Sequence, residues 1–219
     1  MGARSRCGRG APARAASGCD EDVLMRVLLI HCHPCGESFG AALCAAARDA
    51  LERGGHELRV TDLYREGFDP VMSEPEWRRY HDEEVNRTPV ERHVEDILWA
   101  EALVFVYPTW WFGLPAMLKG YLDRVWVPHV TFDVPTAARG MQPRMQHICK
   151  IAVVTTCGAS WLVSWLMGQP GRRTILRGIR ALCAPRCKTC YLAHYNMDSS
   201  TQDSRVRFLK AVERQLGKF

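Results

Sequence analysis

After Met25 the chain alternates strand-like and helix-like segments, and no other feature restricts its fold as strongly. Apolar runs at residues 26–31, 57–62, 102–107, 147–156 and 188–194 read as strands. Residues 39–53, 90–101, 115–125, 172–182 and 201–216 carry apolar side chains at helical spacing. Ser38 stands where a polar N-cap belongs, Gly54-Gly55 where a helix stops, and Pro115 at a first-turn position. Parallel strands need a covering crossover. The alternation therefore predicts an α/β doubly wound domain, a mainly parallel sheet with helices on both faces. Between the second strand and the second helix lies a polar stretch with Pro70, Pro75 and Pro89, long for a connector.

At 219 residues and 47% hydrophobic, the chain can bury one full core. Residues 1–24 are a Gly, Ala, Arg and Ser tract without an apolar run, expected to be a disordered or misassigned extension with Met25 as an alternative start. The domain is expected over residues 25–219. The tract holds +1 of the formal net charge of +5, leaving +4 on the rest, a mild positive field that suits an anionic cofactor. Arg172, Arg173, Arg177 and Arg180 lie at helical spacing and read as a solvated face, so no nucleic-acid partner is expected. The longest apolar stretch, residues 98–118, is broken by Glu101, Pro108, Gly113 and Pro115, which argues against a membrane span. Ten cysteines without an export signal suggest thiols in a reducing compartment, the cytoplasm by default.

In an open α/β sheet the ligand lies beyond the carboxyl ends of the strands. The loop after the first strand, His31-Cys32-His33-Pro34-Cys35-Gly36-Glu37-Ser38-Phe39-Gly40, runs into a helix N-terminus, whose free N–H groups and positive dipole suit a phosphate. Ser38 can add a hydroxyl and His33 an imidazole N–H; the plainer reading is that Ser38 only caps the helix. After the third strand, Pro108-Thr109-Trp110-Trp111-Phe112-Gly113-Leu114-Pro115 sets three consecutive aromatics between two prolines. They cannot all face a core, and such a loop suits a flat conjugated ring or, equally, a protein interface. After the fourth strand, Thr155-Thr156-Cys157-Gly158 joins hydroxyls to a glycine that lets the backbone approach a ligand closely.

Cys32-His33-Pro34-Cys35 is a C-x-x-C at a helix N-terminus, the setting that activates a dithiol, so a Cys32/Cys35 dithiol oxidoreductase is a rival reading. That chemistry leaves the other two loops without a role. Cys187-x-x-Cys190 is a second such pair, but the topology sets it at the opposite end of the strands, and no metal site is expected.

The stretch Pro108-x-x-Trp111-Phe112-Gly113-x-Pro115-Ala116-x-Leu118-Lys119-Gly120-x-x-x-Arg124-Val125 resembles the flavodoxin-like NAD(P)H:quinone reductases, the DT-diaphorase family. His33-x-x-x-x-Ser38-Phe39, Gly55-His56, Asp62-Leu63-Tyr64, Phe68-Asp69-Pro70 and Thr155-Thr156-x-Gly158 extend the likeness over residues 25–158. Beyond that point only a strand and a closing helix continue it.

The resemblance implies a flavodoxin-like five-stranded parallel sheet of order 2-1-3-4-5 and a homodimer with its sites at the subunit boundary. It also implies a flavin, FAD or FMN, that accepts hydride from NAD(P)H and passes electrons to a quinone or related acceptor in ping-pong fashion. By the same resemblance, His33, Ser38 and Phe39 hold the flavin phosphate and ribityl region, and Pro108, Thr109, Trp110, Trp111 and Phe112 line the isoalloxazine edge. Thr155, Thr156 and Gly158 complete that cradle, with Phe132 and Trp161 in the substrate pocket. Cys157 replaces the first glycine of the family's usual pair, and Phe132 and Trp161 stand where relatives often carry hydroxyls. No side chain is named as catalytic, because the flavin carries the chemistry. A flavodoxin-like electron carrier or regulatory flavoprotein without appreciable turnover uses the same fold and is the alternative. The aromatic loop favours the enzyme, since a stacked pocket admits nicotinamide and quinone in turn.

Overall fold

The computed structural model describes residues 24–219. Its strands are β1 (Arg26–His31), β2 (Glu57–Asp62), β3 (Ala102–Thr109), β4 (Phe132–Asp133), β5 (Gln142–Pro143), β6 (Lys150–Cys157) and β7 (Lys188–His194). Its helices are α1 (Phe39–Arg53), α2 (Glu74–Arg79), α3 (Glu91–Trp99), α4 (Ala116–Val125), α5 (Trp161–Leu166), α6 (Pro170–Arg173) and α7 (Gln202–Leu216). Five strands form one parallel sheet in the order β2-β1-β3-β6-β7, which is the expected 2-1-3-4-5 counted along that sheet. β4 and β5 pair separately as a short antiparallel ribbon.

Strand side chains alternate between faces, and here both faces are covered, which is why the central strands are continuous apolar runs. Val27 and Leu29 of β1, Val104 and Val106 of β3, and Ala152 and Val154 of β6 pack against Leu43, Ala47 and Leu51 of α1 and Val212 and Leu216 of α7. Their neighbours Leu28, Ile30, Leu103, Phe105, Ile151 and Val153 join Val94 and Ile97 of α3 and Leu118, Tyr121 and Val125 of α4 in a second cluster on the other face. Two layers of core thus hold the strand ends in a fixed register. Among the described residues, no helix is long and apolar enough to cross a membrane.

The helix starts follow local chemistry. Ser38 is extended, and its hydroxyl accepts the Ala41 N–H at 3.1 Å. Thr201 caps α7 in the same way. Two helices go beyond the sequence reading. α2 lies inside the long polar stretch, opened by a reciprocal Ser73 and Glu76 capping box. That stretch is tied down by Arg124, whose guanidinium donates to Glu76 at 2.8 Å and to the Asp69 carbonyl. Gly120 permits the contact, because a Cβ there would stand 2.1 Å from the Pro70 carbonyl oxygen. α5 interrupts the chain after Gly158. The helix expected over 172–182 is instead α6, a π-helical turn over Thr174–Ile179 and a 3-10 turn over Arg180–Leu182. The fourth sheet strand starts at Lys150, later than expected, because the Ile148 N–H turns back to the Met145 carbonyl.

Candidate cofactor and substrate site

The register β1↔β3↔β6 delivers three carboxyl ends side by side, and the loops that leave them are joined by direct contacts. Thr109, the last residue of β3, shares a 2.9 Å hydroxyl bond with Thr155 of β6. On the other side, the Trp110 ring lies 6.5 Å from the His33 ring, centroid to centroid. His33, Thr109, Trp110 and Thr155 therefore form one continuous floor across the sheet end.

The first loop is organised around the α1 N-terminus. Ser38 spends its oxygen lone pair on Ala41 and Phe39 and Gly40 leave their N–H groups at the open end of the helix. The Ser38 hydroxyl proton remains able to donate outward. The imidazole of His33 lies on Gly40, where a Cβ would approach its Cδ2 to 3.1 Å. His33 Nδ1 is 3.0 Å from the Cys35 nitrogen and 3.1 Å from the Cys35 oxygen, so the loop holds the ring in either tautomer. Burial is the main cause that keeps this imidazole below its ordinary 6.5, and the neutral form results at neutral pH. With Cys35 donating to Nδ1, the free Nε2–H is a donor. The Phe39 ring points the other way, edge-on to His194 at 5.6 Å and near Phe208 at 6.4 Å. Phe39 can thus serve an anion with its backbone N–H, while its side chain packs the α1–α7 interface.

The second loop is strained. Trp111 and Phe112 have φ of 47° and 60°, and the Gly113 N–H donates to the Trp110 carbonyl at 2.9 Å. Two consecutive positive φ values closed by that bond are the signature of a type I′ turn, which ordinarily takes Asn and Gly. Each bulky residue in the left-handed region costs about 1–2 kcal/mol. The turn lifts Trp111 out almost completely, to 95% exposure, and strain at such a position points to function. From behind, Gly171 of α6 presses on the loop, since a Cβ there would be 3.1 Å from the Gly113 carbonyl carbon.

In the third loop the Asp198 carboxylate packs on Gly158. A Cβ on Gly158 would lie 2.6 Å from Asp198 Oδ2. Thr155 is fully buried, Thr156 half-buried, and Cys157 remains in strand register opposite Thr109 with its thiol buried.

Sequence reasoning passed over the wall behind these loops. Gln169, buried with φ of 47°, donates to the Tyr195 hydroxyl at 3.2 Å and accepts from Arg172 at 2.9 Å, while Arg172 covers the Tyr191 ring at 4.8 Å. The run Gly168-Gln169-Pro170-Gly171 carried a turn signal; nothing in it named the partners. The two residues assigned to the substrate pocket lie on other elements. Phe132 is half-buried against the core in β4, and Trp161 opens α5 at 57% exposure, stacked on Trp165 at 6.4 Å.

The Cys32/Cys35 pair does not have the form of a working dithiol. Cys32 is fully buried, and desolvation pushes its thiol up to about 12, while Cys35 is exposed. Among the described residues, no group of three or more His, Cys, Asp or Glu is arranged to hold a metal.

A family described as flavodoxin-like fold matches residues 25–184. An uncharacterized NAD(P)H oxidoreductase, YcaK of Escherichia coli K12, is 40% identical over 111 residues, 46% of this chain and 52% of the relative. NAD(P)H dehydrogenase [quinone] 1 of Cavia porcellus is 37% identical over 169 residues, 70% of this chain and 60% of the relative. The matches thus span about half to three fifths of these curated relatives' length. Among solved structures, an NAD(P)H:quinone oxidoreductase of Methanothermobacter marburgensis superposes with a TM-score of 0.76 at 26% identity, over 89% of this chain and 96% of that one. With the sheet order, the three joined loops and a family match over most of the described residues, the chain belongs to the flavodoxin-like fold family.

Proposed function

We propose that this chain is a flavin-dependent NAD(P)H oxidoreductase that reduces quinones or related acceptors, and that the joined loops after β1, β3 and β6 are its active site. The observation that carries the reading is the floor itself: the His33 ring at an anion-receptive helix N-terminus meets the Trp110 ring of a strained aromatic turn, and Thr109 before that turn is bonded to Thr155. The residues fit a flavin mononucleotide unit. The Phe39 and Gly40 N–H groups, the Ser38 hydroxyl and neutral His33 receive the phosphate end. Pro108, Thr109, Trp110 and Phe112 border the ring, with Thr155, Thr156 and Gly158 opposite them. Bound there, the flavin would supply two-electron transfer between nicotinamide and acceptor.

The work of the protein is to hold, orient and exclude. The Thr109–Thr155 bond fixes the distance between two of the loops, and the backbone N–H groups of the Trp111-Phe112 turn would favour negative charge on a flavin bound beside them. Trp111, standing free, covers whichever flat substrate enters, so nicotinamide and acceptor use one space in turn. Phe132 and Trp161 offer no hydroxyl, and we assign them apolar contact with the acceptor. Cys32, Cys35, Cys44, Cys157, Cys183, Cys187 and Cys190 are free thiols, which suits the cytoplasm.

α5 supports the homodimer. Trp161, Leu162, Trp165, Leu166 and Met167 are each more than half exposed, a contiguous apolar surface next to the third loop. A second copy that covers it would also roof the site. Sedimentation of the purified chain should give a dimer, and Trp165→Glu a monomer; a monomeric parent would remove this part of the reading.

To test the activity, the protein is purified, its visible spectrum recorded, and its chromophore released and compared with FMN and FAD. Flavin near one equivalent per chain, with NAD(P)H oxidation that depends on added menadione, is the expected result. Bound flavin without acceptor-dependent turnover would make the chain a carrier. A colourless protein that refuses added flavin would overturn the proposal.

A further inference from the structure

The cysteine pairs that catch the eye in the sequence, Cys32-x-x-Cys35 and Cys187-x-x-Cys190, are not the pair the fold brings together. Cys187 meets Cys183, in the run Cys183-Ala184-Pro185-Arg186-Cys187, at the opposite end of the sheet from the aromatic loop. Arg180 holds both residues. The Cys183 N–H donates to the Arg180 carbonyl at 3.1 Å, and the Arg180 Nε donates to the Cys187 carbonyl at 2.9 Å. Between them a tight turn closes with the Cys187 N–H on the Ala184 carbonyl at 2.8 Å. Both side chains sink into the same core cluster, at 3% and 1% exposure. The Cys183 thiol has two acceptors within reach, the Ile179 carbonyl at 3.3 Å and the Cys187 sulfur.

We propose that Cys183 and Cys187 form a redox-sensitive dithiol that closes to a disulfide on exposure to hydrogen peroxide. Access is built in. A cavity of about 440 Å³, lined by Pro143, Gln146, Leu176, Arg177, Arg180 and Cys183 among others, opens onto Cys183, the partner that donates to Cys187. Arg180 on the cavity wall favours the anionic form of either sulfur. Donation from Cys183 is the main cause that holds Cys187 below the usual thiol range.

The chemistry balances with peroxide alone as oxidant. The thiolate attacks one peroxide oxygen; the S–O bond forms, the O–O bond breaks, and the released hydroxide takes a proton to leave as water. The second sulfur then attacks the sulfenic sulfur. The S–S bond forms, the S–O bond breaks, and hydroxide departs with the remaining thiol proton as a second water. Two thiols have lost two electrons and one peroxide has become two waters. A metal is not required, and neither is the flavin, so this inference stands apart from the activity proposed above.

The experiment is a thiol map of the full-length protein. The folded chain is treated with hydrogen peroxide, the remaining thiols are alkylated under denaturing conditions, and tryptic peptides are identified by mass. Trypsin cuts after Arg180, Arg186 and Lys188, so a Cys183–Cys187 disulfide joins two otherwise separate peptides. The expected result is that joined pair, reversed by dithiothreitol and formed before Cys32 or Cys44 loses its label. Cys187→Ser should leave Cys183, the thiol that lines the cavity, as a sulfenic acid that dimedone traps. Should that variant fail to fold, the map of the parent protein alone decides. Retention of both labels while exposed Cys35 is consumed would overturn the proposal, as would a pairing of Cys183 with Cys149 instead, or a cross-link that forms only in urea.

Discussion

Gly171, in the first turn of α6, lies against the backbone of Gly113 so closely that an added Cβ would come within 3.1 Å of the Gly113 carbonyl carbon and 3.3 Å of the Leu114 nitrogen. The helix is thereby a buttress for the aromatic turn. The contact is between main chains, so neither side can rotate away.

Replacing Gly171 by Ala sets two effects against each other. Alanine gains about 0.5–1 kcal/mol in helix propensity, whereas forcing a methyl into a packed contact costs about 1–3 kcal/mol. The second wins, and the cheapest relief is for the loop to move by a few tenths of an ångström. Gly171→Ala should fold with a small loss of thermal stability and bind flavin about tenfold more weakly, a change of about 1.4 kcal/mol. Flavin titration of the apo-protein measures it; an unchanged affinity would mean that the loop does not depend on this helix.

Ser38 has a capping role and a proposed ligand role, and one substitution separates them. Asp is as good an N-cap as Ser, and its charge at a helix N-terminus adds about 0.3–1 kcal/mol of stability. The same charge repels a phosphate. Ser38→Asp should therefore melt at or above the parent temperature as apo-protein and bind flavin at least about a hundredfold more weakly. Ser38→Ala, by contrast, should lose about 1 kcal/mol of stability with the cap. Parent-like flavin affinity in Ser38→Asp would reduce Ser38 to a cap.

Trp111 carries strain without burial. Its ring is 95% exposed and its φ is 47°, so in the free chain it contributes strain and almost no packing. Glycine relieves about 1–2 kcal/mol of left-handed strain and gives back about 0.4–1 kcal/mol through a freer unfolded chain. Trp111→Gly should match or exceed the parent in apo stability while its acceptor KM rises about tenfold. A clear fall in stability would show that the turn is held for packing and not for the ligand.

Much of this architecture was legible in the residues. The bounds of α1 follow from Ser38 and Gly54, those of β2 and β7 from short apolar or β-branched runs, and the sheet order from the resemblance. What stayed hidden depends on contacts between distant segments. A Trp-Phe pair does not announce a type I′ turn, because neither residue favours positive φ; only the surrounding strands and Gly171 impose it. α5 is apolar on most of its surface and six residues long, so no periodicity marks it. The pairing of Cys183 with Cys187 comes from Arg180 folding back on both, and C-x-x-C spacing misdirected the reading. Asp198 behind Gly158 has no signature in sequence at all.

Acid should destabilise this protein through its half-buried imidazoles, and His93 is the clearest case. Its ring sits edge-on to Phe68 at 5.1 Å and to Tyr121 at 5.4 Å, and its Nδ1 is buried without a hydrogen-bond partner among the described residues. Desolvation first, and the nearby Arg92 charge second, hold it below the ordinary 6.5; Asp96 opposes them more weakly. His147 is lowered in the same direction, again mainly by burial. The folded state therefore binds protons more weakly than the unfolded chain. Above about pH 6.5 both states are neutral at these sites and stability is complete; below it the unfolded chain takes up protons first, and stability falls until the folded pKa values are passed. His93→Phe keeps an aromatic ring between Phe68 and Tyr121 but removes one titrating group. Melting temperatures measured from about pH 7.5 down to about pH 5 should fall less steeply for His93→Phe than for the parent, and an identical slope would show that His93 protonates as easily in the folded chain as in the unfolded one.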